Sequence, residues 1–168
     1  MPNTFTLIAS STVGAGGAAS IDFTSIPSTY TDLVLKISLR DNRAAVGNAT
    51  KITFNTSGGT YSGRYIEGTG SAVSSGTDTN GIADQVSANA TASTFNNGEI
   101  YIPNYAGSNQ KSISSDSVNE NNASNANSIL YATLWNQTAA ITSIKLEPVV
   151  SASFVQYSTA YLYGVKNA

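Results

Sequence analysis

With 168 residues the chain is long enough to bury most of its apolar surface in one core, so a single domain is the default reading. Charged residues make up only 11% of it and the net charge is −2, which leaves no basic stripe to neutralise a run of phosphates and argues against nucleic-acid binding. No apolar run approaches the ~20 residues of a membrane helix, the strands lack the outward apolar band of a membrane barrel, and the opening MPNTFTLIASS has neither the charge nor the apolar length of a signal peptide.

Ser, Thr and Asn supply 60 positions, so the surface is neutral and rich in hydroxyls and amides. Nine Tyr, five Phe and clustered Ile and Val distinguish the chain from a disordered polar segment. In chain order, residues 4–9 (TFTLIA) and 19–23 (ASIDF) flank Gly14, Gly16 and Gly17 and read as an opening hairpin or a paired start. From Asp32 to Asp41 the residues alternate cleanly. Leu33, Leu35, Ile37 and Leu39 point to a core, and Val34, Lys36, Ser38 and Arg40 to a mostly wet face.

A strand is then expected at 50–55, followed by a Gly-punctuated region with Tyr61, Tyr65 and Ile66 and a polar stretch through Asn80-Gly81, with further strands at 98–103 and at about 111–118. The run Ile129 to Trp135 is apolar at both parities and predicts a central strand covered on both sides. Ile141 to Leu146 and Thr159 to Val165 close the series. The one helical candidate, 82–93, is Ala-rich but lacks a sustained period of 3.6, so no long helix is expected. The reading is an all-β, single-domain, jelly-roll-like antiparallel β-sandwich of roughly eight to ten strands over residues 1–168. It carries a Gly-rich segment at about 10–20 and long polar loops near 68–80 and 119–128.

The chain has no His and no Cys, which removes Ser-His and Cys-His nucleophiles, His-based metal sites, disulfides and thiol chemistry. Ten acids leave a carboxylate pair conceivable, but none lies in a catalytic motif. The reading is therefore not an enzyme, with no catalytic, cofactor or metal residue assigned. Asp78-Thr79-Asn80-Gly81-Ile82-Ala83-Asp84 resembles part of a calcium loop without its later Glu, and reads better as an Asx-type turn. Arg40-Asp41-Asn42-Arg43 could grip an anion, though a solvated strand end is the stronger reading. The Asn-x-Ser/Thr triplets at Asn48, Asn55, Asn89, Asn122 and Asn136 are about as many as this composition yields by chance. Trp135, with Tyr61, Tyr65 and Tyr105, could form an aromatic platform for glycan or an interface. An aromatic in such a strand more often belongs to the core or to an interface.

Three segments also carry a resemblance: the opening TFTLIASSTVGAGGAASIDFTSIPSTYTDLVLKISLRDNR, the middle GEIYIPNYAGSNQKSISSD, and the closing LWNQTAAITSIKLEP with FVQYSTAYLYGVKNA. Together they resemble small bacteriophage virion structural proteins of marine phages and cyanophages, over nearly the whole chain. The resemblance implies a jelly-roll virion component, either a capsid decoration or cement protein that stabilises the head shell, or a tail or head appendage module that binds host-surface glycan. It further implies the virion as location after assembly in the host cytoplasm, partners among the major capsid protein or other virion proteins, and a homo-oligomer, with a trimer expected. The pattern runs from about Thr4 to Val165 without a fibre shaft, which favours the decoration protein.

Overall fold

The computed structural model describes residues 4–56, 59–79, 81–122 and 126–166. Short β-branched and aromatic runs separated by Gly, Asn and Ser become twelve strands among them, with no helix. They are β1 (Phe5–Thr12), β2 (Ile21–Phe23), β3 (Asp32–Ser38), β4 (Gly47–Phe54), β5 (Tyr61–Gly68) and β6 (Val73–Asp78). β7 (Gly81–Val86), β8 (Asn97–Ile102), β9 (Lys111–Asn119), β10 (Asn127–Trp135), β11 (Ile144–Pro148) and β12 (Thr159–Val165) follow.

The strands form two antiparallel sheets, one of eight in the order β1-β12-β3-β8-β9-β10-β5-β6 and one of four in the order β2-β11-β4-β7. Without β5, β6, β9 and β10, the remaining strands give two matched halves, β1-β12-β3-β8 and β2-β11-β4-β7. Each connection between consecutive members then crosses from one sheet to the other, except the one from β4 to β7. That is the double Greek key of a jelly roll. The hairpins β5-β6 and β9-β10 are insertions that pair with each other through β5 and β10 and widen the first sheet beyond β8.

The halves meet over one apolar cluster. Leu33, Leu35, Ile100 and Leu162 from the wide sheet face Phe23, Ile52, Phe54 and Leu146 from the narrow one. Each such buried side chain contributes roughly 1.5–3 kcal/mol, and the period-2 pattern that supplies them is the one legible in the sequence.

Four expectations need correction. β1 and β2 are not a hairpin: β1 pairs with β12 and β2 with β11, because a jelly-roll connection must change sheets. The expected 68–80 loop contains β6. β10 is central in its sheet but covered on one face only, with Leu130 56% exposed on the other. Beyond Lys36 and Ser38, the second face of the β3 segment is not wet, since Val34 and Arg40 are both buried. The 119–128 loop falls partly on residues 123–125, which lie outside the described residues.

Candidate functional site

The four aromatic residues expected to form a platform all belong to the inner side of the fold. Tyr61 lies directly opposite Trp135 across β5 and β10, and Tyr65 opposite Tyr131. Trp135 is 1% exposed and meets the Phe54 ring edge-on at 5.2 Å, while Tyr61 meets the same ring at 6.0 Å. The Tyr61 hydroxyl accepts the Phe54 N–H at 2.9 Å, and burial pushes its pKa up. Tyr65 is half-buried with its ring 5.8 Å from that of Tyr131. Tyr105 stands apart from this group, fully buried, its hydroxyl donating to the Pro27 carbonyl. Neither Trp135 nor Tyr105 can stack on a surface glycan, because the ring faces such stacking needs are packed against protein. The exposed aromatics are Phe5, Tyr157 and Tyr161, which no periodic pattern singles out.

An acidic cleft of about 220 Å³ lies at the junction of the sheets, lined by Gly47, Asn48, Glu67, Asp84, Asn119 and Asn127 among others. The Asn127 amide donates to Glu67 Oε1 and to Asp84 Oδ2, each at 2.7 Å, and the Tyr131 hydroxyl donates to Asp84 Oδ1 at 3.0 Å. Burial first, and then the charges of Glu67 and Asp78, push the Asp84 carboxyl above the usual carboxylate range, against the lowering effect of its two donors. Burial likewise raises the Tyr131 phenol, with Asp84 adding to it. The result ties β5, β7 and β10 together through one carboxyl that keeps its proton to a higher pH than an exposed Asp.

The segment that resembles part of a calcium loop turns at Asp78, whose Oδ1 accepts the Gly81 N–H at 2.9 Å; Asn80 lies outside the described residues. Among the described residues no three acids are grouped so as to hold a metal. The Arg40-Asp41 pair is neither an anion grip nor a solvated end. The Arg40 guanidinium donates to the carbonyls of Ala88, Ala90, Thr91 and Thr94. Asp41 is fully buried and accepts from Asn48 at 2.6 Å, Gln85 at 2.7 Å and the Arg43 N–H at 3.1 Å.

The remaining candidate is the outer face of the eight-stranded sheet, which no further sheet covers among the described residues. At about 4.8 Å per strand interval it is roughly 34 Å wide. Most of its exposed side chains are small and uncharged, but Leu130 lies directly opposite Ile66, with Val73 and Val118 on the diagonals of that pair, and all four are exposed. Together these four make an exposed apolar patch on an otherwise hydroxyl-rich face. Sequence reading missed it because Val73 lies in a strand taken for a loop and Leu130 in a strand expected to be covered.

No family model matches the chain, and no curated protein matches it.

Proposed function

We propose that the protein is a structural component of a bacteriophage virion, a decoration or cement protein that adds to the head shell against the major capsid protein. The observation that carries this reading is the broad uncovered sheet face with its Ile66, Val73, Val118 and Leu130 patch. A protein whose task is to contribute contact area needs a wide, flat, weakly charged surface on a rigid sandwich, and the two inserted hairpins supply that width. The jelly roll supports the reading only as analogy, since the same architecture serves viral shells, lectins and other proteins.

Copy number tests the proposal. Quantitative mass spectrometry of purified particles, scaled to the major capsid protein, is expected to find one or more copies per lattice site. A handful of copies per particle would overturn it in favour of an appendage. Particles assembled without the protein are expected to lose DNA on heating at a lower temperature than complete ones.

A further inference from the structure

Each sheet has two edges, and an edge strand offers a row of unpaired N–H and C=O groups to any passing strand unless something blunts it. Three of the four edges here are blunted. β1 carries a bulge, with a register shift between Leu7 and Ala9. β2 is only three residues long. β7 is closed by neighbours: the Ser115 hydroxyl donates to the Ile82 carbonyl, the Asp84 N–H donates to Ser117 Oγ at 2.9 Å, and the Asp41 N–H donates to the Val86 carbonyl at 2.9 Å.

Among the described residues β6 has none of these devices. Its register with β5 is unbroken, β5 is its one strand neighbour, and its sequence VSSGTD has no Lys, Arg or Pro. The Thr69 N–H bond to the Ala72 carbonyl at 3.0 Å marks those two residues as a hydrogen-bonded pair. Such pairs alternate along an antiparallel ladder. Ser74 and Gly76 therefore exchange bonds with β5, while Val73, Ser75 and Thr77 aim their backbone groups outward.

We propose that β6 pairs antiparallel with β6 of a second copy of this chain, about a twofold axis at Ser75, joining two eight-stranded sheets into one. In that register Ser75 opposes Ser75, and Val73 opposes Thr77 of the second copy. All outward N–H and C=O groups of Val73, Ser75 and Thr77 then find partners. Asp78 falls opposite Ala72 of the second copy, so no like charges face each other, and the β-branched Val73 and Thr77 make favourable cross-strand pairs. The twofold makes the contact isologous and closed, so it ends at a dimer. A strand of six residues buries little area, so the dimer forms reversibly and depends on concentration. The inference rests on the edge alone and is independent of the virion reading.

Because the chain has no Cys, single cysteines report cleanly on the contact. Sedimentation equilibrium is expected to show a shift with concentration from 17.4 kDa towards twice that mass. Ser75→Cys is expected to cross-link with a short bis-maleimide. Ser114→Cys, on the same face but three strands inward and roughly 34 Å from its counterpart, is expected not to. Ser75→Pro removes an N–H that points away from β5, which an edge strand tolerates, and should leave a folded monomer. Val73→Lys does the same by charge, should the proline variant fail to fold. A chain that stays monomeric at its highest soluble concentration, a Ser75→Cys yield no greater than that of Ser114→Cys, or a dimer that survives both edge variants overturns the proposal.

Discussion

At the scale of single residues, the buried polar groups carry the clearest consequences. Folding raises the Asp84 pKa, so the folded chain holds that proton more tightly than the unfolded one and stability falls as pH rises from the ordinary carboxylate range through the raised value. Asp84→Asn is expected to raise the urea midpoint at neutral pH, with a gain that shrinks as the pH is lowered through that window. Glu147 works in the opposite sense, because Lys145 and Lys51 hold its carboxyl below the usual range and its contribution is lost on acidification. Arg40→Met leaves four carbonyls of the 88–94 segment without their donor. It is expected to cost about 2–3 kcal/mol, read by urea unfolding, and to speed hydrogen exchange in that segment. The sequence showed Arg40 only as a charge at a strand end. Nothing in its neighbours in the chain could say that residues about fifty positions away would wrap their carbonyls around it.

At the scale of elements, β9 explains how a strand with polar residues at inward positions can sit inside the fold. Its run KSISSDSVN alternates, but Ser115 and Ser117 occupy buried positions where a sandwich strand normally places apolar residues. They face the outer edge of β7 and satisfy backbone groups that would otherwise lie buried without partners. Ser115→Ala and Ser117→Ala are each expected to cost about 1 kcal/mol, and the second should release the Asp84 amide to faster exchange. The strand itself was legible from its period, whereas the task of its serines was not, since β7 lies about thirty residues upstream. Trp135 closes the other end of the insertion against Phe54. Trp135→Ala is expected to lower stability by about 3–5 kcal/mol, a loss seen first in unfolding midpoints.

At the scale of the whole molecule, β12 lies between β1 and β3 and joins the two ends of the chain in one sheet. Truncation before Thr159 is therefore expected to leave β1 and β3 without their shared partner and to yield insoluble protein, measured as the soluble fraction on expression. Jelly-roll pairing is dominated by contacts distant in sequence, so refolding in stopped flow is expected on the millisecond-to-second scale rather than faster.

Alternation of Leu33, Leu35 and Ile37, the turn residues between runs and the missing helical period determined an all-β sandwich from sequence alone, because period-2 burial and turn chemistry are local properties of the chain. The lack of His and Cys likewise needed no structure. Sheet membership was decided only in three dimensions. The same alternation suits a hairpin, a sheet-crossing connection or an edge strand, so β1 and β2 could be separated, and β6 recognised as a strand, only once the backbone hydrogen-bond partners were in place. The inward turn of Tyr61, Tyr65 and Trp135 was decided the same way. Parity along β5 and β10 sets them on one face, but only the narrow sheet packed over that face makes it the inside.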